Sequence, residues 1–185
     1  MADVTDNGLR AAVKALTDVV APSIDRADPL AQEQLRLVVD YLEFVRCRLD
    51  FLYDRDRFEL GHNLALASAL QRMHPPCSAS TARLLKAATE AGTLAESVVG
   101  TSTVALKAAS AALAAATREL IREAAAFATE MRSAIERQVI EASSELIRFE
   151  RAWYLPLGFD PAPGELPSLA AVLANMPSSG PRRAP

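Results

Sequence analysis

The fold is decided by residues 103–154, which read TVALKAASAALAAATRELIREAAAFATEMRSAIERQVIEASSELIRFERAWY. Apolar residues recur here with a step of about 3.6 residues, the period of a straight α-helix. The members of this stripe are Leu113, Thr117, Leu120, Ala124, Phe127, Met131, Ile135, Val139, Ala142, Leu146, Phe149 and Trp153. We therefore expect one helix from about Thr103 to Tyr154, roughly 75 Å long. A compact monomer of this size does not need such a helix, and this favours a second copy of the chain as partner.

The rest of the chain also predicts an all-α protein. It contains 36 alanines, the best helix formers, and no alternation of apolar and polar residues typical of strands. We expect an antiparallel helical bundle of long helices over residues 1–154. Seven of the eleven prolines lie in the last 30 residues, so residues 155–185 are expected to form a Pro-rich tail. A short helix is predicted over 168–175, with disorder from about 177.

Several helix boundaries can be read from local signals. Asp28 followed by Pro29 is a strong helix start. His74-Pro75-Pro76 must end the preceding helix by Met73. Ser78 or Ser80 can cap the next helix. Its inner side is expected to be formed by Leu84, Ala88, Ala91, Ala95 and Val98.

The second helix carries an apolar seam that turns polar halfway. The seam Leu35, Val38, Leu42, Val45, Leu49 and Leu52 continues as Asp56, Glu59 and Asn63. Either the helix breaks near 54–57 with Asp56 as the new cap, or it continues and places a polar patch inside the bundle. A second apolar stripe on the same helix, which includes Leu37, Tyr41 and Phe44, indicates a central helix or a subunit interface.

The candidate polar site consists of Arg48, Arg55, Asp56, Glu59, His62 and Asn63. Glu59 and His62 have the Glu-x-x-His spacing that di-iron proteins use twice, but the chain has only two histidines. The arginines could bind an anion or a partner, or could belong to a solvated, salt-bridged face. Glu59 and His62 could also be ordinary polar residues. We assign no catalytic residue, no metal ligand and no cofactor.

Composition excludes some classes of function. The net charge is −3 and basic residues do not cluster, so no nucleic-acid binding is expected. No stretch approaches 18 uninterrupted apolar residues, so no membrane span is expected. Cys47 and Cys77 lack metal-site spacing and are expected to be reduced thiols in the cytoplasm.

Two resemblances add expectations about function. The segments VVAPSIDRADPLAQEQLRLVVDYLEFV and DRDRFELGHNLALASAL lie within residues 1–73. They resemble small helical bacterial proteins of unknown function that are encoded beside acyl-CoA dehydrogenases and aminoglycoside-phosphotransferase-like kinases. This resemblance implies an accessory subunit. Residues 80–154 resemble phasins, which coat polyester granules through amphipathic helices.

Three functions follow as expectations. The first is a non-catalytic helical interaction or accessory protein, either a homo-oligomer such as a dimer or the partner of a metabolic enzyme. The second is a ligand-binding or metal-assisted enzyme using the polar patch near Glu59 and His62. The third is an amphipathic surface-coating protein. Whether the chain is an enzyme stays open, with the residues favouring a non-enzyme.

Overall fold

The fold is that of an all-α protein, as the sequence predicts. A computed structural model describes residues 4–174, and this part of the chain contains seven α-helices and no strand. The helices are α1 (Val4–Ala15), α2 (Pro29–Arg46), α3 (Leu52–Arg72), α4 (Ala79–Ser97), α5 (Thr103–Ala124), α6 (Thr129–Tyr154) and α7 (Leu169–Ala174). Helix α7 lies within the segment 168–175 for which a short helix is predicted. The disorder predicted from about 177 falls outside the described residues.

Helix starts agree with the local signals in the sequence. An oxygen of Asp28 accepts a hydrogen bond from the amide of Ala31 at 3.0 Å, and Pro29 is the first residue of α2. Ser78 caps α4 and Ser102 caps α5 in the same way. Because each cap satisfies an amide that has no partner inside its helix, these residues fix where the helices begin.

The break between α2 and α3 lies earlier than predicted. It falls at residues 47–51, where two turn residues precede a 3₁₀ turn at Leu49–Phe51. Asp56 therefore lies inside α3, and its expected role as a cap is wrong. No helix-breaking residue marks this point, but Arg48 is buried here and donates from Nε to the carbonyl of Trp153 at 2.8 Å. Arg48 and Trp153 are 105 residues apart, so a local sequence pattern cannot predict their contact.

The single helix predicted from Thr103 to Tyr154 is also wrong. It is interrupted at residues 125–128, between α5 and α6. The predicted stripe nevertheless contributes to the core on both sides of the break, since Leu113, Leu120 and Ile135 are buried. Burial of apolar side chains from both helices thus overrides the helix propensity of the alanines at the break. The length argument for a second copy no longer holds.

The chain forms two compact units. Unit 1 consists of residues 4–52 and 153–166, and unit 2 of residues 53–152 and 167–174. The core of unit 2 comes from α3, α4, α5 and α6 and is made almost entirely of leucine and alanine. Its buried members are Leu60, Leu64, Ala67, Leu70, Leu85, Ala88, Leu106, Ala109, Leu113, Ala116, Leu120, Ala124 and Ile135. The antiparallel arrangement of the helices stays a prediction.

Helix α4 contacts this core through a face that coincides only in part with the one expected, since Ala88 is buried and Ala95 packs against the core as predicted. Thr81, Leu85, Ala88 and Gly92 are buried, whereas Leu84, Ala91 and Val98 are exposed. Gly92 explains the difference. A Cβ atom at this position would lie 2.8 Å from Cδ1 of Leu113 and 3.3 Å from Cδ1 of Leu64. The missing side chain therefore leaves room for two core leucines, and the glycine defines the inner face of α4.

Gly92→Ala and Gly61→Ala form a matched test of this close approach. Both glycines lie inside helices, so alanine should stabilise each helix by roughly 0.5–1 kcal/mol. At Gly61 the nearest atom to a new Cβ is 3.4 Å away, an ordinary contact. At Gly92 the new methyl group must displace buried leucines, which costs about 1–3 kcal/mol. Urea denaturation should show Gly92→Ala to be the less stable variant by about that amount, and equal stabilities would contradict the packing.

Candidate functional site

The candidate polar residues of α3 form two rows along the helix. Arg55, Glu59 and His62 follow one another at spacings of four and three, so they share one face of the helix. Asp56 and Asn63 are seven residues apart and share another face. The polar residues thus lie together on one helix, but the first row contacts α6 and the second row contacts α5.

The first row forms an ion-pair ladder with α6. Nε of Arg55 lies 3.0 Å from Oε1 of Glu59, and Nη2 of Arg55 lies 3.4 Å from Oε1 of Glu150. The pKa of Glu150 is raised, mainly because the carboxyl group is partly buried. The positive charge of Arg55 lowers this pKa, and the negative charge of Glu59 raises it by a smaller amount. One arginine thus neutralises two partly buried carboxylates, an arrangement that links α3 to α6.

His62 ends this row in an aromatic environment. Its ring stacks on Phe58 at 6.2 Å between centroids, and Phe58 stacks on Phe149 at 3.8 Å. Burial lowers the pKa of His62, and the nearby Glu145 raises it less. The imidazole is therefore neutral at neutral pH and serves mainly as a partner in ring packing. The ion pair of Glu59 with Arg55 and the ring packing of His62 on Phe58 thus account for the presence of these two residues on one face of α3.

The second row places a carboxylate and an amide against α5. Asp56 is buried, and its Oδ2 lies 3.7 Å from Nζ of Lys107, whose own side chain is largely exposed. Burial raises the pKa of Asp56, and the attraction of Lys107 only partly offsets this effect. Asn63 donates from Nδ2 to Oγ of Ser110 at 2.8 Å. The two contacts connect α3 and α5 through polar groups at the edge of the apolar core.

Arg48, the remaining member of the predicted site, belongs to unit 1. Its guanidinium carbon lies 5.9 Å from the ring centroid of Phe44 and 5.5 Å from that of Trp153. Burial lowers the pKa of this guanidinium. Two aromatic rings and a backbone carbonyl surround it, so the residue holds the end of α2 against Trp153 through cation–π contacts and a hydrogen bond.

One further polar cluster escapes sequence analysis. Glu123 of α5 accepts hydrogen bonds from the amide and hydroxyl of Ser78, both at 2.7 Å, and from Oγ1 of Thr81 at 2.6 Å. These bonds lower the pKa of Glu123. The carboxylate thus binds the N-terminus of α4, where the helix dipole favours a negative charge. The partners are more than 40 residues apart in sequence, so no local pattern reveals the contact.

In these arrangements the residues of the predicted polar site contact one another or side chains of neighbouring helices. Across residues 4–174, no group of three His, Cys, Asp or Glu side chains is placed to hold a metal ion. The same described range contains no helix long and apolar enough to cross a membrane. The chain has no significant match to a protein-family model, a curated protein or a solved structure. The two resemblances stated above therefore stay predictions.

Asp56→Asn tests the cost of the buried carboxylate. A raised folded-state pKa means that ionised Asp56 is less favourable in the folded protein than in the unfolded chain. The resulting loss of stability is present above the folded pKa and disappears as pH falls through it. Asp56→Asn should therefore melt at a higher temperature than the native protein at about pH 8, and the difference should shrink toward about pH 4.

Asp54→Asn is the matched control for this experiment. Asp54 lies two residues earlier in α3 and is exposed, so its substitution should leave the melting temperature nearly unchanged throughout the same pH range. A lower melting temperature for Asp56→Asn at about pH 8 would show that the contact with Lys107 outweighs the cost of burial.

Proposed function

We propose that this protein is a non-catalytic helical interaction protein that self-associates through α2. The observation that supports the proposal is an apolar stripe along α2 that is covered at one end only. Its members Leu30, Leu37 and Tyr41 are 69%, 38% and 58% exposed, whereas Phe44, next on the same face, is only 7% exposed. Phe44 stacks on Tyr154 at 5.6 Å between centroids. An apolar surface on a partner would bury the exposed part of the stripe.

Unit 1 has too small a core to account for its apolar residues. In its described residues, only Phe44, Arg48 and Trp153 are buried, and α1 buries none. One of these three is an arginine. A pair of helices that exposes valine, leucine and tyrosine gains little from burial, because stable domains pack at least two layers around a shared core. A second layer over α2 would supply the missing burial.

The chemistry of the stripe favours a second copy of this chain as that layer. Gln34 lies between Leu30 and Leu37, and an amide both donates and accepts, so it can pair with its own copy across a two-fold axis. Arg36 binds Glu33 at 2.6 Å and Asp40 at 2.8 Å along the edge of the stripe. Because Arg36 offsets part of the charge of these two carboxylates within α2, the repulsion between two approaching copies is reduced.

Such a protein would act by holding copies or partners together. We expect it to do so in the cytoplasm, with Cys47 and Cys77 as free thiols, which is how both occur in the structure. A metabolic enzyme as an additional partner stays an expectation from the resemblance of residues 1–73. The polar rows of α3 support this function indirectly, since their side chains bind one another and stabilise unit 2.

Leu37→Glu combined with Tyr41→Glu tests the proposed interface. Light scattering at micromolar concentration should give the native protein about twice the chain mass of 19.8 kDa. Two carboxylates in an apolar interface should cost roughly 2–4 kcal/mol of association free energy, at least a thirtyfold rise in Kd. The double variant should therefore have the mass of a monomer.

Ile140→Glu is the matched control because Ile140 is an exposed aliphatic residue of unit 2. It should leave the mass at that of the dimer. A native protein that is monomeric at these concentrations would contradict the proposal, as would a double variant that remains dimeric. Dissociation caused by Ile140→Glu alone would place the interface in unit 2.

A further inference from the structure

A groove lies between the end of α5 and the first half of α6, within unit 2. Its volume is about 410 Å³, within the range of roughly 300–1,000 Å³ that is typical of small-molecule sites. Six of the eight residues that line it are alanine, valine or isoleucine. The other two are Arg132 and Glu136 of α6. The groove therefore offers an apolar surface with one cation and one anion.

Arg132 is the cation of this groove, and its side chain has donors to spare. Nε of Arg132 lies 3.8 Å from Oε1 of Glu136, which is too long for a hydrogen bond. Within residues 4–174, the guanidinium donates no hydrogen bond to another protein group, although more than half of the side chain is covered. A guanidinium carries five N–H donors in a planar fork that matches the two oxygens of a carboxylate. Arg132 can therefore bind an anion that enters the groove.

Other arginines of this protein show that one guanidinium can hold two carboxylates. Arg36, Arg46 and Arg55 each contact two carboxylate groups, at distances of 2.6–3.4 Å. Among the described residues, Arg132 has a single carboxylate nearby, and that contact is longer than any of these six. A second carboxylate beside Glu136 would complete the same arrangement at Arg132.

We propose that this groove binds an aliphatic monocarboxylate of medium chain length. Arg132 would hold the carboxylate, and the chain would lie against apolar residues such as Ile135 and Val139. A phosphate would bring more negative charge close to Glu136 than a carboxylate does, which favours the carboxylate. Glu136 itself is 62% exposed, so water weakens its repulsion of a bound carboxylate.

Titration calorimetry on the full-length protein tests the site with three probes. Decanoate, below the concentration at which it forms micelles, should bind with one molecule per chain. Hexanoate should bind at least tenfold more weakly, because it buries four fewer methylene groups. Decylammonium has the same chain length as decanoate but a positive head group, and Arg132 should repel it, so it should also bind at least tenfold more weakly.

Arg132→Met tests the role of the guanidinium, because methionine keeps an unbranched apolar side chain and removes the charge. The Kd for decanoate should rise at least tenfold. Arg137→Met is the matched control, since Arg137 is an exposed arginine of α6 that does not line the groove. It should bind decanoate as the native protein does. Both substitutions lie outside the buried core, so the melting temperature should hardly change.

Four results would overturn the proposal. They are no saturable binding of decanoate by the native protein, equal binding of hexanoate or decylammonium, native affinity in Arg132→Met, and an equal loss of affinity in Arg137→Met. Decanoate should leave the mass measured by light scattering unchanged, which separates this groove from the α2 interface.

Discussion

Contact between Gly92 of α4 and the buried Leu113 of α5 is the constraint on which much of unit 2 depends. The leucine occupies the space that a side chain at position 92 would fill. This contact decides which face of α4 enters the core, and so it also decides which residues remain outside. Leu94 and Val98, which lie on the outer face, are exposed for that reason. The missing Cβ atom is thus linked both to the close packing of Leu64 and Leu113 and to which side chains of α4 remain exposed near the turn.

Polar residues of α3 show how a helix can carry many charges and still be central. Arg55 binds carboxylates on its own helix and on α6, and Asn63 binds Ser110 of α5. Asp56 departs from this pattern, because burial disfavours its charge and Lys107 compensates only in part. Ion pairs of this kind contribute little net free energy, because the cost of desolvation offsets the attraction. The α3 rows therefore align helices, whereas the exposed stripe of α2 is suited to association.

Local chemistry was sufficient to predict the all-α fold and several helix starts from the sequence. Asp28, Pro29 and Ser78 act within a few residues of themselves, so their effects can be read directly. A break between α2 and α3 was one of two predicted alternatives, but its position at residues 47–51 and the break at residues 125–128 were missed, because neither is marked by proline or a strong capping signal. The sequence also identified the polar residues of α3 but not their partners. Lys107, Ser110 and Glu150 lie on other helices, and nothing in the local pattern points to them.

The connector at residues 125–128, which separates α5 from α6, could allow two copies of the chain to exchange α6. The connector is Ala-Ala-Phe-Ala, and three of its four residues are the strongest helix formers. Local propensity therefore favours a straight helix, whereas the packing of Phe127, Met131 and Ile135 in the core of unit 2 favours the turn. Substitutions that weaken this burial would release α6 as an extension of α5. In that form it could occupy the same position in a neighbouring molecule, the exchange known as domain swapping.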